Sequence, residues 1–301
     1  MLTRHSTRRC YLATLTLLCL FSIDSAKAAP PSPPQQYKSL LEDYNAVTAG
    51  IRAADTDRKR KEIVKKLAPY AGRFVKLAKR HPDSPIALTS LKQAIQVMGN
   101  TDSAATRAWE TNAEHFPAET NPDLAGEITD LVVSRHLADK ELAGVVDRAR
   151  YGYRLEFERI LTAAAESSPH REVKALAILW RAAFLHDRLQ ALRLADEGPD
   201  LSARYDALFG ADYLPRLRAL RANGAKRRME ILLEQATQYT DVKSPFGDTI
   251  ARRAERALHE LRHLTPGKPA PEIAGIDQND TVFKLSDYRG KVALLYFWSD
   301  L

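Results

Sequence analysis

Between Tyr37 and Leu264 the chain repeats apolar residues at helical spacing and breaks the pattern only at isolated prolines and glycines. The stretch is rich in Ala, Leu, Arg and Glu and poor in β-branched runs, so it holds little that could build a sheet. The breaks fall at His81-Pro82-Asp83, Phe116-Pro117, Asn121-Pro122, Ser168-Pro169, Gly198-Pro199 and Ser244-Pro245. They predict an all-α region of about ten helices, long enough to bury a substantial core.

Part of this region repeats itself. Ile160-Leu161 and Ala165, then Ser168-Pro169, then Val173, Leu176 and Leu179, parallel Ile231-Leu232 and Ala236, then Ser244-Pro245, then Ile250, Ala254 and Leu258. In each, an amphipathic helix runs into a Ser-Pro turn, where Ser is expected to cap and Pro to open the next helix. A third helix, turn and helix runs from Leu77 to Leu91 around His81-Pro82-Asp83-Ser84-Pro85. Paired helices of this kind stack side by side, and residues 37–264 resemble a TPR-like helical-repeat domain, with irregular spacing and an incomplete signature. A plain helical bundle is the alternative.

Residues 265–301 read differently. Lys284 to Tyr288 (KLSDY) is expected to be a short strand running into a turn, and Arg289-Gly290-Lys291 a tight polar connection. Val292-Ala293-Leu294-Leu295-Tyr296-Phe297-Trp298 is a continuous apolar run, expected to be a strand buried on both faces of a mostly parallel sheet. Only Ser299-Asp300-Leu301 follow it, so the covering helices and neighbouring strands are missing.

Gly267-Lys268-Pro269-Ala270-Pro271, then Phe283-Lys284-Leu285-Ser286-Asp287-Tyr288-Arg289-Gly290-Lys291-Val292, then Phe297-Trp298, resemble the opening of a redoxin domain. The family meant is that of the thioredoxin-like proteins of the bacterial envelope, of TlpA/ResA type, which overlap in motif with the AhpC/TSA peroxidases. The resemblance implies that the chain is mainly α, with a TPR-like domain followed by the N-terminal β segment of an incomplete thioredoxin-like α/β domain. It implies thiol–disulfide oxidoreductase or peroxiredoxin-like antioxidant activity, with a thiol or disulfide protein or a hydroperoxide as substrate. The first residue of the family's Cys-x-x-Cys is expected immediately after Leu301, so no catalytic residue is expected within the chain. Three causes are open: a gene model that stops short, a decayed gene, or a UGA codon read as selenocysteine. The competing class is a non-enzymatic secreted helical-repeat protein whose tail strand pairs with a partner's sheet edge.

Residues 1–28 resemble a secretory signal. Arg4, Arg8 and Arg9 form a basic n-region, Tyr11 to Ile23 an apolar h-region, and Ala26-Lys27-Ala28 a cleavage site before Ala29. Thr7-Arg8-Arg9-Cys10-Tyr11-Leu12 also approaches a twin-arginine signal, so either export route is open, to the periplasm or cell envelope. The h-region is too short for a comfortable membrane span. Pro30 to Gln36 (PPSPPQQ) is expected to be an extended tether over residues 29–36.

Cys10 and Cys19 are the only cysteines, so a mature chain from Ala29 would hold no disulfide, thiolate metal site or thiol nucleophile. Without Arg4, Arg8, Arg9, Lys27 and Asp24, the 45 basic and 38 acidic residues become 41 and 37, a net charge of +4. The basic residues are interleaved with acidic ones, which argues against a nucleic-acid face.

Two further patterns invite chemistry. His259-Glu260-Leu261-Arg262-His263 formally matches the helical zinc-protease motif, with two imidazoles at i and i+4 and a glutamate as base. Pro266 and Pro269 stand where a metzincin would need Gly and His, and Glu272 lies beyond a Pro-Gly turn, so no third ligand and no metal site are expected. Leu258, Leu261 and Leu264 are instead expected to pack, with His259, Arg262 and His263 near the negative end of the helix dipole. Asp57-Arg58-Lys59-Arg60-Lys61-Glu62, extended to Lys65-Lys66, is a basic patch that reads as a solvated helix face or as the contact for an acidic protein partner. Trp109 and Trp180 are expected to pack between helices. No Gly-rich phosphate loop, Gly-x-Ser-x-Gly elbow or Asp-rich calcium loop is present, and no cofactor is expected.

Overall fold

The computed structural model describes residues 30–110, 123–265 and 267–296. The signal segment with Cys10 and Cys19, the Phe116-Pro117 and Asn121-Pro122 breaks, Pro266 and residues 297–301 lie outside them. The chain divides into two units at Ser32 and Pro33, and the second holds every element below.

That unit is mainly α. Among the described residues the helices are α1 (Pro33–Ala53), α2 (Asp57–Leu67), α3 (Pro69–Arg80), α4 (Ile86–Glu110), α5 (Leu124–Arg135) and α6 (Leu142–Ala149). There follow α7 (Phe157–Ser167), α8 (Arg171–Asp196), α9 (Pro199–Phe209), α10 (Tyr213–Ala222), α11 (Ala225–Ala236) and α12 (Ile250–His263). Some prolines open helices, while Pro169 and Pro245, expected to do so, lie ahead of α8 and α12 and open neither. Pro69 and Pro199 sit in the first turns of α3 and α9, where a missing N–H costs no helical hydrogen bond. The same rule corrects the expected tether, because Pro33-Pro34-Gln35-Gln36 form the first turn of α1.

Most helices pack in two files. In one, α5 packs on α7, with the Asp130–Arg159 ion pair between them, and ion pairs link α3 to α5 (Lys79–Glu127 at 2.6 Å) and α7 to α11 (Glu158–Arg228 at 3.5 Å). In the other, α4 packs on α6, α6 on α8, and α8 on α12. Between files, α3 lies against α4, α7 against α8, and α11 against both α8 and α12. Phe74, Ile95, Ile128, Val145, Phe157, Leu161, Phe184 and Leu185 are sealed inside this arrangement. Helices α9 and α10 interrupt the alternation and fold back on α8 through Leu192, Ala195, Tyr205, Tyr213, Leu214 and Leu217.

The three Ser-Pro turns share one local geometry. The hydroxyl oxygens of Ser84, Ser168 and Ser244 accept the backbone N–H two residues on, from Ile86 (3.5 Å), His170 (3.3 Å) and Phe246 (3.3 Å). Ser168 and Ser244 are not the N-caps expected of them, since those positions belong to His170 for α8 and Thr249 for α12. A bond to residue i+2 makes a tight ST-turn ahead of the helix, so the serine shapes the approach and leaves the cap to a later residue.

After α12 the chain leaves helix. Strands β1 (Ala274–Ile276) and β2 (Val282–Lys284) form an antiparallel hairpin in the register Ala274 to Lys284, Gly275 to Phe283 and Ile276 to Val282. A 3-10 turn over Leu285–Tyr288 follows. The expected strand Lys284 to Tyr288 is thereby corrected: only Lys284 is in a strand, because the Asp287 carboxylate accepts the Lys284 N–H at 2.8 Å and curls the chain. In the expected strand Val292 to Trp298, residues 292–296 form no strand and are exposed, with Val292 at 103% and Leu294 at 94%. An apolar run cannot hold a ladder without a neighbour, and none lies beside it among the described residues. Leu264 corrects another expectation: Leu258 is buried and Leu261 partly so, but Leu264 is half exposed past the end of α12.

Candidate functional site

Four places merit comparison: the C-terminal hairpin, a buried charge network, the end of α12 and the basic face of α2. The hairpin is shaped by side chains that bind backbone. At its tip, Asp277 Oδ1 accepts the N–H groups of Asn279 (2.8 Å) and Thr281 (2.9 Å), and Asp280 takes a left-handed φ of 60°. Those N–H donors hold the Asp277 carboxyl below its ordinary range. At its base, Glu272 Oε1 accepts the Ser286 N–H at 3.0 Å and the Leu285 N–H reaches the Ile273 carbonyl at 2.8 Å. The bond from Ser286 likewise depresses the Glu272 carboxyl.

At Gly275 a Cβ would lie 2.9 Å from the tip of the Phe283 ring, which would have to shift to admit it. At Gly290, φ is +80°, which lets the chain turn between Arg289 and Lys291 into the apolar run. Ile276 and Val282, paired in the ladder, are both about two-thirds exposed, at 67% and 66%. The segment is thus a preformed hairpin and turn that deliver an uncovered apolar run. It holds no group of three or more His, Cys, Asp or Glu side chains that could bind a metal among the described residues.

The second place gave no sequence signal. Asp102 of α4 is buried and accepts two bonds from Arg154, Nε to Oδ2 at 3.0 Å and a terminal nitrogen to Oδ1 at 2.9 Å. Beside it, buried Arg188 of α8 donates to the Gly152 carbonyl at 2.7 Å, and the Tyr213 hydroxyl donates to the Tyr153 carbonyl at 3.0 Å. Burial pushes the Asp102 carboxyl up while Arg154 and Arg188 pull it down. Burial also raises the Tyr213 phenol. The Arg154 guanidinium lies 5.1 Å from the Phe209 ring, and that of Arg188 lies 5.1 Å from Tyr153. These groups join α4, α8, α10 and the connection before α7. Asp102 and Arg154 are spent on each other and Arg188 and Tyr213 on backbone carbonyls, with the Arg188 Nε left unpartnered, which reads as a fold-holding network.

The histidines of the zinc-protease motif are brought together, with ring centroids 5.0 Å apart and planes tilted by 40°. Both are exposed in the last two turns of α12. Arg262, between them in sequence, binds Glu230 at 2.6 Å and also Glu234, tying α12 to α11. Among the described residues no group of three or more His, Cys, Asp or Glu side chains could hold a metal. The arrangement therefore does not reproduce a three-ligand zinc-protease centre.

On α2, Arg58, Lys59 and Arg60 are exposed and Lys61 is partly buried, with Lys59 paired to Asp55 at 2.8 Å and Lys65 to Glu62 at 3.7 Å. The patch is a solvated helix face laced with acidic neighbours. Trp180 is buried in the core, with the Arg150 guanidinium 3.9 Å from its ring and Phe246 edge-on at 6.1 Å. Trp109 lies in α4, and its side chain is outside the described residues. No described helix is long and apolar enough to cross a membrane. Comparison with protein-family models, curated proteins and solved structures finds no match to this chain.

Proposed function

We propose that the chain is the front part of an exported thioredoxin-like oxidoreductase, in which a TPR-like helical domain carries the opening of a redoxin domain. The single observation behind this reading is the order of elements after α12: hairpin β1–β2, the 3-10 turn at Leu285–Tyr288, the Gly290 turn, then an uncovered apolar run. A central strand awaiting helices on both faces needs that preparation. The helical domain is compatible with it, since successive antiparallel neighbours such as α3 with α4 and α7 with α8 pack as the pairs of a helical repeat would. Residues 1–28 would direct export to the periplasm or envelope, as their charge and apolar pattern suggest.

In this reading the chemistry is thiol–disulfide or selenol exchange with an envelope protein, or reduction of a hydroperoxide. Its first redox group follows Leu301, at the N-terminus of a helix, where the dipole stabilises a thiolate. No residue of the present chain is assigned a redox role. The test is to sequence the transcript beyond the codon for Leu301 and translate through any stop. A Cys or UGA codon followed two residues later by Cys, then roughly 100 residues of α/β pattern, is the expected result; a frame with no such pattern overturns the reading.

One observation favours a second reading. Val292, Leu294 and Tyr296 are exposed in the segment that follows a two-stranded hairpin, which suits pairing with a partner's sheet in a non-enzymatic helical-repeat protein. That reading expects no redox motif in the continued frame and loss of partner capture when residues 292–296 are replaced by polar ones.

A further inference from the structure

We infer that His259 and His263 form a two-imidazole chelate for a divalent transition ion, with copper(II) the tightest fit, independent of any protease or redox chemistry. With metal–nitrogen bonds of about 2.0–2.1 Å and angles from tetragonal to tetrahedral, two imidazoles on one ion place their ring centroids about 4.5–5.2 Å apart. Here they stand 5.0 Å apart with no ion needed to draw them together. The spacing follows from their i, i+4 positions on one helix face.

The surroundings suit a cation. Both rings lie in the C-terminal turns of α12, the negative end of its dipole. His259 shares a surface depression with Glu255 and Glu260 and also with Arg252 and Arg256, and His263 lies outside its lining. The nearest arginines have their charge answered elsewhere: Arg256 pairs with Asp248 at 2.7 Å, and Arg262 binds Glu230 and Glu234. The Arg262 clamp also fixes the last turn of α12 against α11, so little helix fraying has to be suppressed when an ion binds. Two protein ligands leave the remaining positions to water, which makes the site exchangeable, unlike a closed structural centre. The order of intrinsic affinities for nitrogen ligands places copper(II) above nickel(II) and zinc.

The test is titration of the chain with copper(II) chloride alone, read by competition with a chromogenic chelator and by electron paramagnetic resonance. One tight ion per chain with nitrogen hyperfine structure is expected. His259→Gln or His263→Gln should each weaken that step by about 100-fold, as loss of one arm of a chelate does, and the double variant should weaken it further, by removing the remaining imidazole. Adding Glu255→His to the His263→Gln chain recreates an i, i+4 pair one turn earlier and should restore tight binding. Copper binding that both single variants leave unchanged overturns the inference, as does failure of the Glu255→His rescue in a helical chain. Should a variant lose its helicity, the unsubstituted chain decides. Copper should shield His259 and His263 from diethylpyrocarbonate, read by peptide mass, and equal modification with and without copper would refute the site.

Discussion

The helical stack and the C-terminal hairpin solve the same problem of chain order by opposite means. In the stack, Phe157 and Phe184 are wholly buried, and most hydrogen bonds run along helix backbones. In the hairpin, paired Ile276 and Val282 face water, and shape comes from Asp277, Glu272 and Asp287 binding backbone N–H groups. The difference teaches that local hydrogen bonding can specify a conformation that burial does not yet stabilise. A two-stranded hairpin in water is marginal by itself, whereas a helix with a buried stripe draws its stability from its neighbours.

The contrast can be broken most severely from the helical side. Phe157→Ala should destabilise the stack by about 3–5 kcal/mol, the usual cost of emptying an aromatic core site, measured as a lower urea midpoint by circular dichroism. Asp102→Ala removes the partner of a buried guanidinium and should cost about 3–4 kcal/mol in the same assay. Replacing Asp102 and Arg154 together by leucines should cost less than Asp102→Ala if the penalty lies in the orphaned charge.

Changes in the hairpin should leave that midpoint where it is. Gly275→Val would drive a side chain into the Phe283 ring. It should erase the cross-strand amide protection of residues 274–284 in hydrogen exchange without moving the helical transition. A global loss of stability would show that the hairpin is part of the core after all. Acid sharpens the same division. Because the folded hairpin holds the Asp277 and Glu272 carboxyls below their ordinary values, it binds protons less readily than the unfolded segment. Their stabilising contribution is complete above the unfolded carboxylate range near pH 4 and is lost as pH falls through the depressed values. Amide protection in residues 272–287 should therefore fade on acidification to about pH 3, while the helical signal persists.

How much of this was legible in the sequence depended on whether the deciding interaction was local. Helical periodicity placed most of the helices, and the Ser-Pro dipeptides marked turns that the structure repeats, because turn chemistry acts within two or three residues. The 3-10 turn was missed since Lys284 to Tyr288 suits a strand until Asp287 reaches back to its backbone. Pro33 and Pro34 read as a tether since proline rigidity serves an extended chain and a first helical turn equally well. Asp102 and Arg154 had no signal at all. Each sits in a stretch where a charged residue reads as solvent-facing, and their pairing spans 52 residues. At the end of α12 the motif drew attention to two histidines, but only the ring separation says what the pair can do without a third ligand.

The position of α8 carries a consequence for the timing of folding. This helix touches α6 and α7 on one side in sequence and α9, α10, α11 and α12 on the other. Until Asp196 has left the ribosome, the sides of α6 and α7 that pack on α8 have no lid, although α4 already covers α6 and α5 covers α7. At synthesis rates of about 5–20 residues per second, that leaves those sides uncovered for a few seconds. A nascent chain of this design is open to capture in that interval, either by a holding chaperone or by an export machine that accepts only unfolded substrate.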